Sequence, residues 1–142
     1  MIPLVFRLAS AVNILGVLIF SMMFTNERLI ELSPTVCSRF GLVSIMLWGA
    51  AYLAVATSYR AVPYLVGVFA IEKFVYVATW IVWIQQHHQE LSPLFDESPL
   101  TAIFYANYGP TDLLFGVFFA YVALRGAQQQ SELPAMRNEN RV

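Results

Sequence analysis

The stretch VGVFAIEKFVYVATWIVW, residues 66–83, is almost continuously apolar and constrains the fold more than any other part of the chain. A helix that crosses a lipid bilayer needs roughly 20 mostly apolar residues, because the hydrocarbon core is about 30 Å thick. The stretch therefore predicts a membrane-spanning helix. Two opposite charges, Glu72 and Lys73, interrupt it near its middle, where ionisable side chains are rare and usually functional.

The composition agrees with a membrane protein. Of the 142 residues, 58% are hydrophobic and 12% are charged, whereas about a quarter of the residues of a soluble domain are charged. The net charge of −1 gives no basic surface for nucleic acid, so we expect no nucleic-acid partner. The single cysteine, Cys37, excludes an internal disulfide and the CxxC chemistry of small membrane thiol oxidoreductases.

Three further apolar runs accompany the first one. Together they predict an all-α fold, a four-helix transmembrane bundle within residues 1–125, in which the lipid bilayer is the surrounding solvent. The polar tail over 126–142 is nearly free of apolar residues, so we expect it to be disordered. The four predicted spans are 3–24, 40–59, 61–84 and 99–125.

The fourth span is the least regular of the four. Its most apolar part, residues 111–124, would rise only about 21 Å as a helix, which is too short to cross a bilayer. We therefore extend the span back to Pro99 and predict an interruption at Gly109-Pro110, because proline lacks a backbone donor and clashes with the preceding turn. The alternative is a short surface helix over 99–108 followed by a separate, short span.

The orientation follows from the distribution of lysine and arginine, which are enriched on the cytoplasmic side. With the N-terminus inside, two arginines lie outside, Arg28 and Arg39, and the long third loop over 85–98 has no basic residue. The inner side then holds Arg7, Arg60, Arg125, Arg137 and Arg141. Both termini are therefore predicted to be cytoplasmic, and the short loops suit a bacterial inner membrane.

Polar residues of three predicted spans fall at one depth. Asn13, Lys73 and Asp112 each lie about 10 to 13 residues from the inner end of their span, which is a depth of about 15 to 20 Å at about 1.5 Å per residue. That depth is near the middle of the bilayer. We expect Lys73 to pair with Asp112, and Glu72 either to accept from the same network or to stay protonated, since burial in an apolar medium disfavours a charge.

These residues define the candidate site, which is a midplane cluster without a catalytic motif. The polar and aromatic members are Glu72, Lys73, Asp112, Asn13, Tyr76 and Tyr108. No pattern indicates a cofactor. The adjacent His87 and His88, with Glu90 nearby, have no spacing of a known metal site and are interpreted as part of a solvated interfacial segment.

The leading functional hypothesis is binding or translocation of a small ligand or a proton at this site. In the proton version of this hypothesis, the Glu72 side chain takes up and releases the proton. In the ligand version, Lys73 meets an anionic head group, while Tyr76, Tyr108 and Phe115 hold the apolar part of a small amphipathic molecule. The alternatives are a non-catalytic accessory or assembly subunit, in which the charges only hold the bundle, and an intramembrane lipid-modifying enzyme with Glu72 and Asp112 as acid and base.

Small residues recur on one face of the second span, at Ser44, Ala51 and Ser58. Such residues allow close helix packing in membranes, so this face predicts a contact with another helix of the bundle or a homodimer. The plan of four spans in 142 residues resembles the small DoxX-like proteins and, more distantly, the sterol isomerase group with four to five spans. That resemblance concerns the topology, and no activity is carried over from it.

Overall fold

The structure, a computed structural model, describes residues 1–139, with side chains as far as Ser131. Within this part of the chain every regular element is helical, so the predicted all-α class is confirmed. The elements are α1 (Ile2–Phe20), α2 (Glu27–Leu32), α3 (Arg39–Val55), a short 3-10 helix (Tyr59–Ala61), α4 (Pro63–Glu97) and α5 (Pro99–Glu139).

Local sequence signals set the helix starts. The Asn26 side chain accepts a hydrogen bond from the Leu29 amide at the start of α2, and Ser38 accepts from Gly41 at the start of α3. Short polar side chains at this position satisfy amides that have no partner within the helix. Pro63 is in the first turn of α4, where a missing amide hydrogen costs nothing.

The four long helices alternate in direction. At one end of the bundle, called the N-end, Gly126 of α5 lies against Pro63, close to the start of α1. At the opposite end, the Asn26 side chain that follows α1 donates to the Thr101 hydroxyl near the start of α5. The helices pack mainly as two pairs, α1 with α3 and α4 with α5, and α1 also contacts α5.

The core divides into two clusters along the bundle. An aromatic cluster toward the N-end contains Phe6, Tyr52, Phe69 and Phe119, with ring centroids 4.9–5.7 Å apart. A second cluster, toward the opposite end, is built around Leu29, Val17, Trp83, Leu94 and Tyr105. The polar residues singled out from the sequence lie between these two clusters along α1, α4 and α5.

In the part of the chain that the structure describes, two helices are long and apolar enough to cross a membrane, α1 and α4. The third apolar helix, α3, has 17 residues, and α5 does not reach the same hydropathy over its described length. A bundle with four spans is therefore not confirmed, although four long helices are present. The polar stretch around Asn107 and Asp112 lowers the hydropathy of α5.

The predicted interruption at Gly109-Pro110 is wrong, because α5 is a continuous helix through both residues. Gly109 has a role in packing, because a Cβ atom there would overlap the ring of Trp80 on α4. The Trp80 indole also donates to the Tyr105 carbonyl at 2.7 Å.

The third predicted loop, 85–98, is instead helical as far as Glu97, although Pro93 lies inside it. Good helix formers such as Gln, Glu and Leu favour the helix, and Leu94 is buried in the second cluster. The helical backbone of α5 continues past Gly126 to Glu139, and disorder of the tail over 126–142 stays a prediction. Residues 140–142 of that tail lie outside the described residues.

Candidate functional site

The Lys73 side chain is the centre of a network that joins all four long helices. Its Nζ atom lies 2.6 Å from Asp112 Oδ1 on α5 and 3.0 Å from Asn13 Oδ1 on α1. The Asn13 amide group in turn donates to the Ile45 carbonyl of α3 at 3.1 Å. These four residues are called the Lys73 network below. The ion pair that the sequence predicted between Lys73 and Asp112 is present.

The network compensates a costly charge. Lys73 is 1% exposed, and an ammonium group has three hydrogens to donate. Two of its acceptors are Asp112 and Asn13, and the rings of Tyr52 and Tyr76 lie 5.5 and 6.0 Å from Nζ. Aromatic faces attract a desolvated cation. The ammonium group thus has two hydrogen-bond acceptors and two aromatic rings as favourable partners.

Glu72 is next to Lys73 in the sequence, but it has a different environment. One carboxylate oxygen, Oε2, accepts a hydrogen bond from the Tyr52 hydroxyl of α3. The other, Oε1, is buried and has no hydrogen-bond partner in the described part of the chain. A buried polar atom without a partner costs roughly 1–3 kcal/mol, so each one in a native protein calls for an explanation. Among the described residues, Glu72 therefore has one carboxylate oxygen without a hydrogen bond.

A pocket of about 110 Å³ adjoins both groups. It lies between the α1/α3 pair and the α4/α5 pair, and its walls are mostly apolar. Two of its lining residues, Val12 on α1 at 37% and Ile103 on α5 at 43%, are exposed on the side of the bundle. We call it the Glu72 pocket. Its polar lining residues are Asn13, Glu72, Lys73, Tyr76, Asn107, Tyr108, Thr111 and Asp112.

All six residues of the candidate site line this pocket. Tyr108 stacks on Phe104, with ring centroids 4.9 Å apart, and forms part of the wall. Phe115, expected to hold the apolar part of a ligand, is instead buried in the aromatic cluster beside Phe119 and does not line the pocket.

Sequence reasoning missed Tyr52 as a member of the site. Counting residues along the helices would have placed Tyr52 at the same depth as Glu72. Both lie about eight or nine residues, or about 13 Å, from the turn between α3 and α4 at the N-end. The Ile45 carbonyl could not have been found, since no side-chain pattern marks which backbone acceptor a buried amide will reach.

Two other potentially reactive side chains, Cys37 and His87, are held in packing contacts. The Cys37 thiol in the segment before α3 is buried, which raises its pKa to about 11, and it accepts a hydrogen bond from the Tyr105 hydroxyl. It is therefore neutral at pH 7 and a poor nucleophile. The His87 ring stacks on Trp83 at 5.0 Å, and the described residues contain no group of three or more potential metal ligands.

Comparison of the sequence with known protein families finds no matching family, and comparisons with curated proteins and with solved structures find no match.

Proposed function

We propose that this protein is a small multi-pass integral membrane protein that binds or translocates a proton at Glu72. The observation that carries the proposal is the unpartnered Oε1 atom of a buried carboxyl group that lines a pocket. A group that gains and loses a proton needs one side free of fixed partners, and ionisable residues inside membranes usually mark such pathways.

The membrane assignment is supported by what the long helices expose. In the most apolar stretch of α1 and of α4, 28% of the residues are buried within the protein, so neither resembles the core helix of a soluble domain. Soluble proteins rarely expose large contiguous apolar surfaces. Large apolar side chains are exposed on all four long helices, including Leu8, Leu15, Leu47, Ile71 and Leu114.

The proposed orientation has both ends of the bundle domain in the cytoplasm of a bacterial cell. Arg60 and Arg125 lie together at the N-end with the start of α1, as the positive-inside rule requires of a cytoplasmic face. Of the helices, α3 would rise about 26 Å, which crosses a thin hydrocarbon core. In this arrangement Glu72 and Lys73 lie near the middle of the membrane.

The size of the Glu72 pocket favours a proton over a bulky ligand. Pockets for drug-sized ligands have volumes of roughly 300–1,000 Å³, whereas this one has about 110 Å³. Lys73 is bonded to Asp112 and Asn13, so it does not neutralise Glu72 through a direct salt bridge. The carboxyl group of Glu72 is therefore the member of the site that can change its protonation without breaking the Lys73 network.

A small amphipathic ligand is the second form of the same proposal. Val12 and Ile103, which line the pocket, are also exposed on the outer face of the bundle, so a molecule in the bilayer would reach the pocket from that face, with only its head group inside. The head group would donate a hydrogen bond to Glu72. An anionic head group on Lys73, the form expected from the sequence, is disfavoured because Lys73 already has its acceptors.

Proton flux into proteoliposomes tests the proposal. The wild-type protein should dissipate an imposed pH gradient, and Glu72→Gln should abolish that activity while leaving the fold intact. The matched control is Glu90→Gln on the same helix, at an exposed position, which should keep the wild-type flux. Equal flux from the wild-type protein, E72Q and empty vesicles excludes proton translocation, and native mass spectrometry of the purified protein then tests the amphipathic ligand.

An accessory or assembly subunit is the second candidate function. The Lys73 network favours this function, because the charges of Lys73 and Asp112 then serve only to hold the four helices together. The subunit hypothesis does not explain why Oε1 of Glu72 has no hydrogen-bond partner in the described part of the chain. The lipid-modifying enzyme has less support, since Asp112 is held in an ion pair and is not free to act as acid or base.

The predicted homodimer through Ser44, Ala51 and Ser58 stays a prediction. The contact of α3 with α1 is made at Gly49, where a Cβ atom would come within 3.0 Å of Asn13 Cβ. Ser58 is exposed and Ala51 is half-buried, so part of this face is available to a second copy.

A further inference from the structure

A second pocket lies at the N-end, separate from the Glu72 pocket. It has a volume of about 370 Å³ and contains the side chains of two arginines that are far apart in the sequence, Arg60 and Arg125. Two tyrosines, Tyr59 and Tyr121, also line it. The remaining lining residues are Ile2, Val122, Gly126 and Gln129.

The charges in this N-end pocket have one sign. None of its lining residues is acidic, and neither Arg60 nor Arg125 forms a salt bridge with the side chains that the structure describes. Each guanidinium group lies instead beside a tyrosine ring, at 5.7 Å for Arg60 over Tyr59 and 5.5 Å for Arg125 over Tyr121. Among the side chains that the structure describes, the two cations of this pocket therefore have no counter-charge.

Packed elements hold the two arginines near each other. Tyr59 stacks on the buried Phe6 at 5.6 Å, and its hydroxyl accepts a hydrogen bond from Arg60 Nε at 3.1 Å. The first turn of α4 packs closely on α5, since a Cβ atom at Gly126 would come within 2.9 Å of Pro63. These contacts bring the turn that carries Arg60 against the part of α5 that carries Arg125.

We infer that the N-end pocket binds a phosphate group between Arg60 and Arg125. Guanidinium groups donate paired hydrogen bonds that match phosphate oxygens, and two of them can contact one phosphate from different sides. The tyrosine hydroxyl groups and Gln129 add further donors. In the proposed orientation this pocket lies at the level of the lipid head groups, so the phosphate can belong to an anionic phospholipid or to a soluble phosphate compound.

Thermal unfolding in a neutral detergent tests the inference with two probes. Phosphatidylglycerol, compared with phosphatidylcholine, tests the lipid source, and inorganic phosphate, compared with chloride at equal ionic strength, tests the soluble source. A ligand that binds only the folded state raises its melting temperature. We expect phosphatidylglycerol or inorganic phosphate to raise the Tm of the wild-type protein by several degrees above its reference.

Variants assign the effect to the pocket. In the double variant R60Q/R125Q the rise should disappear, whereas R39Q, an exposed arginine at the opposite end of the bundle, should keep it. Stabilisation by phosphatidylglycerol alone identifies a head-group site, and stabilisation by both probes identifies a general phosphate site. If the double variant does not fold, R60Q and R125Q are measured singly, and each should lose part of the rise.

The inference is overturned by no stabilisation of the wild-type protein with either probe, or by a full rise in the glutamine variants. It does not depend on Glu72: the variant E72Q should keep the Tm rise, so failure of the proton proposal and failure of the phosphate proposal are separate results.

Discussion

Asp112 and Glu72 are two acidic residues at one level of the same bundle, and their surroundings differ. Asp112 is paired with Lys73 at 2.6 Å in a network that includes Asn13 and a carbonyl of α3. Glu72, 7% exposed, has one hydrogen bond from Tyr52 and one oxygen without a partner. Folding alone accounts for the first carboxyl group. The second has a cost that folding does not explain, which makes it the functional candidate.

The largest effect should come from breaking the Lys73 network. Lys73→Met leaves Asp112 as a buried charge without its partner, and removal of one member of a buried pair costs roughly 3–5 kcal/mol. The unfolding free energy in detergent should fall by about that amount. The double variant K73M/D112N should recover most of it, because both charges are then absent. A neutral K73M variant would contradict the assignment of Lys73 to structure.

Asn13→Ala should have the next largest effect. It removes an acceptor from Lys73 and the donor to the Ile45 carbonyl, which leaves buried polar groups unsatisfied at roughly 1–3 kcal/mol. Denaturant titration should show this loss in the wild-type background. In the K73M background the cost should be smaller, since one of the two hydrogen bonds no longer exists. An equal loss in both backgrounds would indicate that Asn13 acts independently of Lys73.

Tyr52→Phe should cost less than Asn13→Ala, about 1–2 kcal/mol, because it leaves one buried acceptor without its donor and keeps the ring. Its informative effect is functional. Tyr52 positions the Glu72 carboxyl group, so Y52F should shift the pH dependence of proton flux while the protein stays folded. An unchanged pH profile would show that the hydrogen bond serves packing only.

Glu72→Gln should have the smallest effect on stability, less than about 1 kcal/mol. The glutamine carbonyl can still accept from Tyr52, and no ion pair is lost. Denaturant titration of E72Q beside E90Q checks this. A loss comparable to that of K73M would mean that Glu72 also belongs to the structural network, and the contrast between the two carboxyl groups would disappear.

The sequence predicted the part of the site that depends on depth along a helix. Because the rise per residue is fixed, counting from the span ends brought Asn13, Lys73 and Asp112 to one level. Counting does not give the rotation of one helix against another. The pairing of Glu72 with Tyr52, and the position of Phe115 in the core rather than in the pocket, depend on that rotation.

Local rules failed where a tertiary contact outweighed them. The dipeptide Gly109-Pro110 predicts an interruption of the helix. The helix nevertheless continues, and the glycine provides the space for the Trp80 ring. A tertiary contact likewise fixes Trp83, which is buried and donates to the Leu32 carbonyl at 2.9 Å. Neither contact leaves a pattern in the residues around it.

The most direct test of the central contrast is infrared difference spectroscopy of the reconstituted protein during a pH titration. A carboxyl group that exchanges a proton inside the membrane gives a C=O stretching band whose intensity changes with pH. We predict such a band in the wild-type protein and in E90Q, and its loss in E72Q. If the band persists unchanged in E72Q, Glu72 is not the group that exchanges the proton, and the proposed function is wrong.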